Sequence, residues 1–192
     1  MKRFILGLLL TIAISSTGTA MEYASNTFIF GISFGIGTFS AGENEGGSVF
    51  KGVSVFADWI PNSKIGLSYG LETGLLGGKK QDNNILGIPA IFRLGWYPNF
   101  LSFEKLDLFI IAKIGWGFGI WGQNAEEGST PNGIVCGLNL GGIYKLTQNI
   151  GIYTEIGYNY YGLARNSNYP EYPLGYGSGK TYASIGVSYI IE

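Results

Sequence analysis

Four residues could do chemistry in concert: Glu72, Arg93, Lys113 and Glu155, two acids and two bases, each lying in an extended stretch whose alternate positions are rich in glycine. Charges confined to a protein interior must be paired or hydrated, so this set predicts a lumen ion-pair network or a narrow polar passage. Catalytic designs are scarcer. The 192 residues contain no histidine, which removes a Ser-His-Asp triad, a Cys-His pair and imidazole metal ligands. Asp82-Asn83-Asn84 lacks the rest of a calcium loop, and Glu126-Glu127 are chain neighbours rather than a positioned carboxylate pair. The lone Cys136 alternates with Ile134 and Leu138 as a small apolar residue of a strand face. GISFGIG (Gly31 to Gly37) and GWGFG (Gly115 to Gly119) space their glycines evenly inside strands. A phosphate loop instead needs a strand-to-helix junction. No enzyme, metal or cofactor is expected.

The elements that position the four charges follow from composition and period. Charged residues are 13% of the chain, about half the usual share, with 46% hydrophobic residues and a mean hydropathy of +0.20. A net charge of −1 argues against a nucleic-acid partner. Thirty-two glycines, thirteen tyrosines and twelve phenylalanines favour strands over helices. Period-two alternation starts at Phe28 and returns through Val53 to Trp59, from Ile65, over about Ile85 to Tyr97, Leu106 to Trp121 and Ile134 to Leu146, from Ile150 to Tyr160, and from Lys180 to Ile191. Ser40 to Val49, Gly77 to Asn84, Gly122 to Asn132 and Leu163 to Ser178 read as long polar loops. Pro61 to Lys64 and Thr147 to Asn149 read as tight turns, with Pro98 to Lys105 intermediate. Eight strands with loops long on one side and short on the other predict an all-β fold, an eight-stranded antiparallel up-and-down transmembrane β-barrel.

Facing follows from charge. Glu72, Arg93, Lys113, Glu155, Asp58 and Asp107 all fall on the glycine-rich faces, and the bulky faces carry no charge between their ends. A lipocalin-like lipid-binding barrel with the bulky faces inward would overfill its interior, so the bulky faces are expected to meet outer-membrane lipid. Trp59 and Trp96 open the repeated tetrapeptides WIPN and WYPN at the tight-turn end. With Tyr144 and Tyr189 they are expected to form an aromatic girdle at headgroup level, and each Pro-Asn to reverse the chain. Residues 1–20, MKRFILGLLLTIAISSTGTA, have the charge, apolar core and small-residue end of a cleaved signal peptide. That leaves 21–192 as one barrel domain in the outer membrane of a diderm bacterium. On the loop RNSNYPEYPLGYGSGK, Tyr169, Tyr172 and Tyr176 are candidate contacts for a host or small-molecule ligand. With Ile114 facing lipid, Ile114→Arg is expected to impair insertion, and Gly115→Ser to be milder.

The stretch GGIYKLTQNIGIYTEIGYNYYG (Gly141 to Gly162) and the final TYASIGVSYIIE, with Ala183, Ile185, Val187, Tyr189 and Ile191 alternating, resemble the closing strands of the small outer-membrane β-barrel superfamily of the OmpA, OmpX and OmpW groups. The resemblance implies a monomeric barrel inserted by the barrel-assembly machinery, which reads the last strand; Ile191 stands where the family usually has phenylalanine. It also implies that Glu72, Arg93, Lys113 and Glu155 correspond, by residue type, to an interior plug or gate. The superfamily's lipid A enzymes rely on histidine, so that activity does not carry over. The expected role is a non-enzymatic structural or surface-interaction protein, with a narrow pore for small or hydrophobic solutes as the alternative.

Overall fold

A computed structural model describes residues 26–39, 48–62, 64–80, 83–122, 132–163 and 176–192. Eight strands follow one another: β1 (Thr27–Phe39), β2 (Ser48–Asn62), β3 (Leu67–Lys80), β4 (Asn83–Trp96), β5 (Leu106–Gly122), β6 (Asn132–Lys145), β7 (Ile150–Leu163) and β8 (Tyr176–Ile191). Each pairs antiparallel with its chain neighbour, and β8 closes on β1. Following partners from Phe28 through Trp59, Tyr69, Leu94, Ala112, Leu138 and Tyr158 leads to Thr181, beside Tyr182, whose own partner is Gly37. One circuit therefore climbs β1 by about ten residues (38 − 28). Such a stagger tilts the strands by roughly 40° and leaves an interior that side chains can fill.

The alternation read from the sequence decides the facing. Ile32, Leu71, Ile114, Leu138, Ile156 and Ile185 are each more than half exposed on the outer wall, while Asp58, Glu72, Arg93, Lys113 and Glu155 are buried inside. A lipocalin-like cup would need the reverse. The interior is stratified. Near the tight-turn end Ile29, Phe56, Ile60, Tyr97, Phe109, Ile111, Ile143, Tyr153 and Ile190 form one apolar cluster. Towards the other end Phe50, Ile91, Val135 and Tyr182 form a second, with Leu76 packed on it. Arg93 and Lys113 lie between them, Arg93 4.2 Å from the Phe56 ring of the first and Lys113 5.6 Å from the Tyr182 ring of the second.

The lumen glycines make this filling possible. A Cβ on Gly31 would sit 2.3 Å from the Phe56 ring, on Gly37 2.4 Å from Phe50, and on Gly141 2.3 Å from Phe109; each ring lies over a glycine of the adjacent, register-paired strand.

Several details differ from the sequence reading, among them the start of β8 at Tyr176 inside the expected loop Leu163 to Ser178. The expected loop Gly77 to Asn84 is mostly ladder: β3 runs to Lys80 and β4 starts at Asn83, with Lys80 paired to Asn83. Side-chain alternation fades there, but backbone hydrogen bonding does not depend on it. In WIPN, Pro61 and Asn62 still belong to β2, and the reversal is made at Lys64 to Gly66, with Gly66 at φ +70° and its N–H donating to the Asn62 carbonyl at 3.1 Å. In WYPN the chain does turn at the motif, Pro98 preceding a 3-10 turn at Asn99–Leu101. Finally, the β3–β4 ladder pairs Thr73 with Ala90 and Leu76 with Gly87 but skips the positions opposite Pro89, which has no N–H to give.

Candidate functional site

The middle layer of the lumen is organised around Arg93. Register places Arg93 of β4 directly beside Lys113 of β5, so two cations are neighbours on one wall. Acids must reach them from elsewhere. Asp58 of β2 does so across β3, where the residue between them is Gly70; a Cβ there would lie 1.9 Å from Asp58 Oδ1. The Arg93 guanidinium then holds Asp58 in a two-pronged contact, Nε to Oδ1 at 2.9 Å and Nη2 to Oδ2 at 3.0 Å. This fork geometry is the strongest form of an arginine–carboxylate pair.

Glu72 of β3 accepts from Arg93 Nη1 and, at 2.8 Å, from Lys113 Nζ through the same Oε2. Glu155 of β7 comes from the facing wall, pairing with Lys113 through Oε1 and lying 3.7 Å from Arg93 Nη1 through Oε2. Two phenols complete the shell. Tyr153 accepts from Arg93 Nη2 at 3.1 Å and donates to Glu155, and Tyr97 donates to Asp58 Oδ2 at 3.2 Å. The guanidinium also lies 4.2 Å from the centre of the Phe56 ring. The five charged side chains are 1–7% exposed. Nearer the tight-turn end Lys145 pairs with Asp107 at 2.8 Å.

The four residues singled out from the sequence thus meet in one cluster. Sequence reasoning placed Asp58, Phe56 and Tyr153 on the glycine-rich faces without making them members of the cluster, and it gave Tyr97 no role. The available signal was spacing on each strand: Tyr153 stands two positions from Glu155 on β7, Phe56 two from Asp58 on β2, and Tyr97 four from Arg93, just past the end of β4. What it could not supply was the cross-barrel register.

On the outer wall Trp59, Trp96, Tyr144 and Tyr189 all face outward at the tight-turn end, with exposures of 39–50%. The Trp96 indole N–H donates to the Ile65 carbonyl at 3.1 Å, and its ring meets Phe100 edge-on at 5.9 Å. Trp59 stacks on Phe28 at 6.3 Å. Aromatic rings in this band, below an uncharged apolar wall, are the pattern of a barrel whose outside meets lipid. Tyr169 and Tyr172, like residues 1–20, lie outside the described residues; Tyr176 opens β8, and only its backbone is described.

No protein-family model and no curated protein matches the chain. Solved structures do. Neisserial surface protein A aligns with a TM-score of 0.59 at 12% identity, over 88% of this chain and 99% of that one. The outer membrane protein OprG of Pseudomonas aeruginosa aligns with a TM-score of 0.55 at 11% identity, over 88% and 98%. Ail, the attachment invasion locus protein of Yersinia pestis, gives 0.54 at 11%, over 88% and 100%. The chain has the fold of the small outer-membrane β-barrels. Within this outer-membrane-type barrel, the cluster around Arg93 occupies the place where a passage along the axis would run, and it is filled by side chains that bond to one another.

Proposed function

We propose that the protein is a non-enzymatic, integral outer-membrane barrel with a sealed lumen, acting through its long outer loops on a host or small-molecule ligand rather than by conducting solutes. The observation that carries this reading is the sequence of layers along the axis. An apolar cluster containing Tyr97 and Phe109, the ion-paired layer around Arg93, and a second apolar cluster containing Phe50 and Tyr182 succeed one another. Water and ions would have to cross two apolar constrictions as well as displace buried salt bridges, each of which is costly to break. The uncharged outer wall and its aromatic band support membrane insertion, since a closed barrel leaves no backbone group unpaired in hydrocarbon. That an attachment protein such as Ail shares the fold supports a role at the cell surface.

Planar-bilayer recording of the refolded protein tests the reading. Wild type, Glu72→Ala and Lys113→Ala are expected to give flat traces alike, because the apolar layers remain when a charge is removed. Discrete conductance steps in wild type would overturn the sealed barrel and favour the narrow-pore alternative.

A further inference from the structure

The contacts around Arg93 do not balance. Three carboxylates, Asp58, Glu72 and Glu155, meet two cations, Arg93 and Lys113, in one bonded cluster. Fully ionised, the cluster would carry one uncompensated negative charge, with every member at most 7% exposed and apolar layers on either side. The penalty for an unpaired buried charge exceeds that for holding a proton on a carboxylate within about two pH units of its ordinary range.

The other elements around the lumen do not supply the missing cation among the described side chains. β1 contributes Ser33, β6 contributes Asn139, and β8 contributes Tyr182, whose ring lies 5.6 Å from Lys113 Nζ. The phenols of Tyr97 and Tyr153 are neutral donors to the carboxylates. Lys145 is matched by its own Asp107. The backbone of Lys180 pairs with Asn159, beyond Tyr182 towards the loop end. No group of carboxylates among the described residues is arranged to hold a metal ion.

We propose that the cluster of Asp58, Glu72, Arg93, Lys113 and Glu155 is a buried binding site for one proton, taken up when the barrel folds. Glu72 and Glu155 both converge on Lys113 Nζ and Arg93 Nη1, so a proton held among the carboxylates completes the charge balance. The linkage has a definite sign. Above about pH 5 the carboxylates of the unfolded chain are ionised, while the folded barrel keeps one proton more. Stability therefore falls as pH rises, by a factor of about ten in the folding constant per pH unit, until the cluster releases its proton.

The test is reversible urea unfolding of the full barrel in detergent micelles between pH 5 and 8. Wild type is expected to show the one-proton slope from pH 5 upward. Asp58→Asn, Glu72→Gln and Glu155→Gln each remove the excess charge, and those that fold are expected to lose the slope. Asp107→Asn, outside the cluster, is expected to keep it. Infrared spectra of folded wild type at pH 6 in deuterated buffer, which need no variant, are expected to contain the carbonyl stretch of one protonated carboxyl group. A flat wild-type profile without that band overturns the proposal, as does a slope that survives all three neutralising variants. A slope replaced by dependence on sodium or potassium concentration overturns it in favour of a metal counter-cation.

Discussion

Replacing Arg93 by methionine keeps much of the side chain's length and removes the charge that holds Asp58 and Glu72. Asp58 loses its two-pronged partner, and Glu72 is left with Lys113 alone. Deleting one partner of a buried pair typically costs 3–5 kcal/mol, and Arg93 serves two carboxylates at hydrogen-bonding distance, so the loss at pH 7.5 is expected to be at least about 4 kcal/mol. The contact over Phe56 adds about 1 kcal/mol more. Two checks follow from the same geometry. Arg93→Lys keeps a charge but cannot make the fork to Asp58, and is expected to lose about 2 kcal/mol. Lowering the pH to 5 lets protons neutralise the stranded carboxylates, so the methionine variant is expected to recover about 2 kcal/mol relative to wild type. Urea unfolding in micelles followed by tryptophan fluorescence, with the heat-dependent gel shift of the folded barrel as a second probe, gives the values. A methionine variant within about 1 kcal/mol of wild type at pH 7.5 would refute Arg93 as the organiser of the lumen.

Three further outcomes are expected. Ile114, 61% exposed on the outer wall, should tolerate arginine poorly: Ile114→Arg is expected to lower stability in liposomes by about 2–4 kcal/mol, measured by equilibrium unfolding. The sequence reading ranked Gly115→Ser as milder than Ile114→Arg; a Cβ at Gly115 would nevertheless lie 2.1 Å from the Ala90 carbonyl oxygen, so that variant is expected to refold with clearly lower yield than Gly117→Ser, whose Cβ would meet Val135 at an ordinary 3.4 Å. Gly66→Ala meets both a φ of +70° and a Tyr97 carbonyl oxygen 2.1 Å from the new carbon, and is expected to cost at least about 2 kcal/mol in urea unfolding.

The wall was more legible in the sequence than the site it encloses. Alternation along Phe28 to Ile36 or Leu106 to Trp121 assigns each residue to one side, because the strand period is two whatever the neighbours are. It carries no information about height. That Asp58 lies level with Arg93 follows from the partner sequence Asp58, Gly70, Arg93, which the sequence alone does not disclose. Tyr153 likewise looked like one more aromatic of β7 until the curvature of the barrel brought its hydroxyl between Arg93 and Glu155. The segment from Gly77 to Asn84 was misread for the opposite reason, since glycines, lysines and asparagines suggest a loop even where main-chain pairing persists.

The rings seated over glycines have a consequence for assembly. A strand displaced by two positions keeps grease outside and charge inside, so lipid alone could not tell that error from the native alignment. Phe56 and Phe109 can tell it: after such a slip Phe56 would face Ile29 or Ser33 in place of Gly31, and Phe109 would face Asn139 or Ile143 in place of Gly141. The aromatic residues of the lumen thus act as a key that only one alignment fits, which lets a barrel with so uniform an exterior close in a single way.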